Sequence, residues 1–67
     1  MIQIYHTVTL YSDNDTYEVE TVAEYDCYTA QELARHAVTL LRYKYKLPEE
    51  EILKIKKFKI RPGRKGR

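Results

Sequence analysis

The chain has 67 residues, of which 33% are charged and 43% hydrophobic, and its formal net charge is +2. A chain this short buries roughly 60% of the surface its unfolded form exposes, which leaves one small core and too few side chains to wall an enclosed active-site cavity. No run of about 18 apolar residues is present, so no membrane-spanning helix is expected. The opening MIQIYHTVTLYSDND carries neither a basic flank nor a small-residue cleavage site, and a cytoplasmic location is the expectation. Cys27 is the single cysteine and cannot form an internal disulfide. With only His6 and His36 beside it, no zinc-ligand spacing exists. Cys27 reads as a small buried filler, and no metal or cofactor is expected.

The net charge conceals a division. Residues 1–34 hold seven acids and no Lys or Arg, a charge of −7, while residues 35–67 hold twelve Lys and Arg against three acids, a charge of +9. Such asymmetry between halves points to a charged partner.

In chain order, IQIYHTVTLY alternates with period two. Ile2, Ile4, His6, Val8 and Leu10 share one face, and Gln3, Tyr5, Thr7, Thr9 and Tyr11 the other. β-Branched and aromatic residues in that pattern predict a strand. SDND follows, four turn formers whose side chains bond their own backbone. TYEVETVAEYDCY alternates again, with Tyr17, Val19, Thr21, Ala23, Tyr25 and Cys27 on one face and Glu18, Glu20, Glu24 and Asp26 on the other. The pair predicts an antiparallel hairpin.

Thr29 followed by Glu32 is a capping box at a helix start. Ala30, Leu33, Ala34, Ala37, Val38, Leu40 and Leu41 then form one apolar face. The helix should fade near residues 44–46, ahead of Pro48. PEEE reads as one short turn. ILKIKKFKI reads as the last strand, with Leu53 and Ile55 in one phase and Phe58 and Ile60 in the other; the slip at Lys56–Lys57 suggests a β-bulge. RPGRKGR has nothing to bury, so residues 62–67 are expected to be a flexible basic tail after a single domain over 1–61.

The implied fold is α+β with ββαβ order. A three-stranded antiparallel sheet of strand order 2-1-3 carries one helix on one face, because there both apolar faces are hidden. The YEVETVAEY strand, the TAQELARHA helix and the LKIKKFKI return strand together resemble small ββαβ proteins of phages and mobile elements, among them some anti-CRISPR inhibitors. Similar plans occur in small ribosomal proteins. The resemblance implies binding to another macromolecule rather than catalysis, and assigns no residue a role.

The residues themselves argue against an enzyme. The acids alternate along a strand and so face solvent, and no Gly-rich phosphate loop is present, both glycines lying in the tail. His6 reads as a core histidine with satisfied nitrogens, and His36 as a surface residue. The basic residues are the stronger candidates. Arg35, Arg42 and Lys46 fall in one solvent-facing stripe with Thr39 between them, and Lys54, Lys56, Lys57, Lys59, Arg61, Arg64, Lys65 and Arg67 follow along the last strand and tail. Cations gathered this way neutralise phosphates and release counterions, so contact with nucleic acid or a nucleoprotein complex is the first expectation. The second expectation is a phage-encoded inhibitor or modulator that binds a host protein through Tyr5, Tyr11, Glu18, Glu20 and Glu24 on the uncovered sheet face. A homodimer matching one acidic edge to one basic edge is a further expectation.

Overall fold

A computed structural model describes residues 3–23 and 28–64. Its elements are β1 (Ile4–Tyr11), β2 (Thr16–Ala23), α1 (Ala30–Tyr43), α2 (Glu49–Ile52) and β3 (Lys57–Pro62). The three strands form one antiparallel sheet of order β2-β1-β3, as the alternation predicts. β1 is central because it alone is free of charged residues along its whole length. Val8 pairs with Val19 on one side and Ile60 on the other, and Leu10 with Tyr17 and Phe58.

The β1–β2 loop is closed by its own side chains. The Ser12 amide donates to the Asp15 carbonyl (2.9 Å), and the Asp15 amide donates to the Ser12 hydroxyl (3.1 Å). This is the local bonding that makes Ser and Asp turn formers.

α1 starts with both halves of the capping box. The Glu32 amide donates to Thr29 Oγ1 (3.1 Å) and the Thr29 amide to Glu32 Oε1 (3.0 Å). The Glu32 carboxyl is held below the usual carboxylate range, first by that backbone amide and then by the Thr29 hydroxyl. Leu33, Ala37 and Leu41 of α1 close over Val8, Leu10 and Val19 to make the core, with Tyr17, Val38, Leu40, Leu47, Ile55 and Ile60 packed around it.

The helix ends at Tyr43 with Lys44 as its C-cap, close to where it is expected to fade. Lys44 and Tyr45 both donate to the Leu40 carbonyl (2.8 and 3.1 Å), and Leu47 donates back to Leu41 (2.9 Å). The chain makes this turn through Lys46, whose φ of 59° lies in the left-handed region. Leu47 thereby returns to the core while Lys46 leaves the helical stripe.

The last strand begins at Lys57 rather than at Ile52. At the expected bulge position the Lys56 amide donates to the Tyr11 carbonyl (2.8 Å) although Tyr11 pairs with Lys57, so two consecutive residues stand against one. PEEE opens α2, which continues to Ile52, and Leu53 and Lys54 finish that turn. Ile52 is buried and Leu53 is 76% exposed. The phase slip therefore falls at the boundary between a helical turn and β3, with Ile55 in the connection. β3 also runs past the expected domain boundary. Pro62 is its last residue, and the Gly63 amide donates to the Tyr5 carbonyl at 2.9 Å. Gly63 takes a φ of 100°, a conformation that suits glycine.

Candidate interaction surfaces

The sheet face away from α1 carries most of the residues the sequence singles out. Tyr5, Thr7, Thr9 and Tyr11 of β1 run down its middle; Glu18 and Glu20 of β2 flank one side, and Lys57, Lys59 and Arg61 of β3 the other. No element among the described residues covers this face, yet Thr7 is 0% exposed. Its hydroxyl donates to the Gly63 carbonyl at 3.1 Å. Around it, long side chains reach across the central strand. Arg61 Nη2 lies 3.4 Å from Glu18 Oε2, and Arg64 Nε lies 3.4 Å from Glu20 Oε2. The Arg64 guanidinium also sits 4.6 Å from the Tyr5 ring centre, and Lys57 Nζ 5.6 Å from that of Tyr11, both in cation–π range. Tyr5 and Tyr11 are half-buried beneath this layer rather than presented as bare rings.

Three further ion pairs engage the candidate cations. Arg42 grips Glu49 of α2 through Nε (2.8 Å) and Nη2 (3.0 Å), the forked geometry that Lys cannot make. This contact raises the guanidinium pKa above its ordinary value. Lys54 meets Glu51 at 3.1 Å, and Lys56 meets Asp13 of the β1–β2 loop at 2.7 Å. Bonding and attraction between Lys56 and Asp13 lower the carboxyl pKa and raise that of the ammonium.

Of the predicted polyanion contacts, Arg42, Lys54, Lys56, Arg61 and Arg64 thus already hold carboxylates. Arg35, Lys46, Lys57 and Lys59 make no ion pair among the described residues, and Lys46 stands off the helix. Lys65, Arg67, Glu24 and Cys27 lie outside the described residues. His6 Nδ1 is buried without a hydrogen-bond partner among the described residues, whereas His36 is exposed on α1 as expected. No cluster of His, Cys, Asp and Glu among the described residues is fit to hold a metal ion. No described helix is long and apolar enough to cross a membrane.

A second surface was not foreseen from the sequence. α1 leaves the helix-side face of β3 partly open, and a trough of about 460 Å³ runs between them. Its floor is apolar, built from Leu10, Ala34, Val38, Ile55 and Phe58. Its rim carries Arg35, Arg42, Lys56 and Lys57, and among the described residues no carboxylate-bearing one lines it. Phe58, at the open margin, is 40% exposed. The trough escaped detection because Phe58 and Ile60 read as ordinary core positions; only the lean of α1 toward β2 uncovers them. A smaller recess of about 320 Å³ lies beside Val22, Tyr28 and His36.

No known protein family, curated protein or solved structure matches this chain.

Proposed function

We propose that this protein is a non-enzymatic binding module whose partner is another protein, which it inhibits or modulates by occupying it through the α1–β3 trough. The observation behind this reading is the hydrocarbon floor of the trough, beside which Arg35 makes no ion pair among the described residues while Arg42 and Lys56 are held by Glu49 and Asp13. Apolar side chains recognise apolar side chains, whereas a phosphate backbone laid over Leu10, Val38 and Phe58 would desolvate its charge against hydrocarbon. The open sheet face supplies less. Arg61 and Arg64 are matched there by Glu18 and Glu20 of the same chain, which leaves Lys57 and Lys59 at the β3 edge as the cations without an ion pair among the described residues of that face.

Contact with nucleic acid is the second reading. It is favoured by the row Lys57, Lys59 and Arg61, which repeats along β3 at the spacing of alternate strand residues. Ion pairs this exposed are worth about 0–1 kcal/mol each and can be exchanged for phosphate.

Pull-down from nuclease-treated lysate separates the two, with Thr39→Glu as the variant. Thr39 is exposed and lines the trough, so the change adds a carboxylate there without disturbing the core. The proposal expects a protein retained through nuclease treatment and lost with Thr39→Glu. Loss of all bound material on nuclease treatment would favour the nucleic-acid reading.

A further inference from the structure

The free edge of β3 has its own hydrogen-bonding direction. The Gly63 amide donates to Tyr5, and Tyr5 stands across from Gly63 when the β1–β3 register is carried one step beyond its last pair, His6 with Pro62. In an antiparallel ladder such bonded pairs alternate. Odd-numbered residues of β3 therefore direct their amides and carbonyls toward β1, and Phe58 and Ile60 direct theirs outward. Pro62 has no amide, which ends the edge for a donor. Beside those outward groups, the helix-side face opens into the trough, and the other face carries only cations: Lys57, Lys59 and Arg61.

Resting on the protein-binding reading above, we propose that an extended acidic segment of the partner adds to β3 as a fourth strand. Its backbone bonds the outward groups of Phe58 and Ile60. Its side chains alternate, with apolar ones entering the trough against Phe58, Val38 and Ile55 and carboxylates lying on the opposite face beside Lys59 and its neighbours. Backbone pairing supplies affinity in this mode and the alternate side chains supply specificity. Lysines on an edge strand discourage indiscriminate pairing; here the same residues select for the sign of the strand that arrives.

A second copy of this chain fits the edge less well. Two β3 edges meeting would set Lys57, Lys59 and Arg61 against the same cations, and two β2 edges would set Glu18 and Glu20 against themselves. Joining β2 of one copy to β3 of the next matches the signs, but Glu18 and Glu20 already hold Arg61 and Arg64 of their own chain.

The test uses a capped peptide of alternating Glu and Val, about eight residues long to exceed the edge it would cover, titrated into the whole 15N-labelled protein at low salt. A Lys–Val peptide and a Glu–Val peptide N-methylated on the face turned to β3 serve as controls. Strand addition expects amide shifts at Phe58, Ile60 and Val38, and hydrogen exchange at Phe58 and Ile60 slowed at least about tenfold at saturation. It also expects at least about tenfold weaker binding after N-methylation, a loss on the scale of one net hydrogen bond or more. Lys59→Glu should weaken the Glu–Val peptide and strengthen the Lys–Val peptide.

Equal binding of both peptides, shifts confined to β2, indifference to N-methylation, or no binding at all would overturn the proposal. Protection of Phe58 and Ile60 that grows with protein concentration in the absence of peptide would overturn it in favour of self-association. The protein-binding reading is judged separately by the nuclease-treated pull-down. A partner lost with Thr39→Glu but no peptide on β3 leaves that reading standing and removes strand addition alone.

Discussion

On the α1 side of the sheet, Val8, Leu10 and Val19 are buried by Leu33, Ala37 and Leu41; on the other side Thr7 is buried just as fully, beneath side chains that carry charge. The two closures differ in kind. Apolar contact is indifferent to salt and to pH and scales with the area removed from water. The charged layer consists of pairs at 3.4 Å between side chains more than 30% exposed, where water and salt screen the attraction. One face holds the fold, and the other finishes it with groups that solution conditions can loosen.

Several substitutions would break or sharpen that contrast. The largest effect belongs to the apolar side. Leu41→Ala leaves a cavity against the sheet and should cost about 2–5 kcal/mol in denaturant unfolding, a large part of the stability expected of a domain this size. Thr7→Val on the open side keeps the volume but leaves the Gly63 carbonyl without its donor; a loss of about 1 kcal/mol is expected, unchanged between low and high salt.

Acid should reveal another contribution. Asp13 and Glu32 titrate lower in the folded chain than they do unfolded, Asp13 through Lys56 and Glu32 through the Thr29 amide. Their stabilisation is complete above the ordinary carboxylate range and is lost as pH falls through the folded values, so melting temperature should drop below about pH 4. Asp13→Asn should flatten part of that drop. The smallest change is expected from Arg64→Gln, no more than about 1 kcal/mol at low salt and nothing measurable in molar salt.

The hairpin and the capped start of α1 were legible because each is written locally. Alternation fixes which residues of β1 face the core, and Thr29 with Glu32 marks the helix start within four positions. The element ends were harder. A helical turn ending at Ile52 followed by a strand starting at Lys57 adds to the phase slip of a bulge, and sequence period alone does not separate the two. Lys46 looked helical because Arg35, Thr39 and Arg42 precede it in step, yet Leu47 gains burial by turning the chain back through a left-handed residue.

The charge layout was legible along the chain but not across it. An acidic strand and a basic strand were both foreseen, together with the order that places them on either side of β1. Neighbouring strands lie about 4.8 Å apart, so β2 and β3 are within reach of paired Arg and Glu side chains across a charge-free strand. Segregation in sequence therefore became partial neutralisation in space. The trough needed the position of α1, which no local pattern encodes.

The claim that Arg42, Lys54, Lys56, Arg61 and Arg64 are engaged within the chain is tested most directly by the salt dependence of oligonucleotide binding. Anisotropy of a labelled single strand, followed from low to moderate salt, measures how many phosphates the protein can neutralise. The account expects a log–log slope of about −3 to −5, since Arg35, Lys44, Lys46, Lys57 and Lys59 make no ion pair among the described residues, Lys65 and Arg67 lie outside them, and each phosphate contributes about −0.7. A slope of about −8 would mean that the pairs to Glu49, Glu51, Asp13, Glu18 and Glu20 open freely for phosphate, and would contradict it.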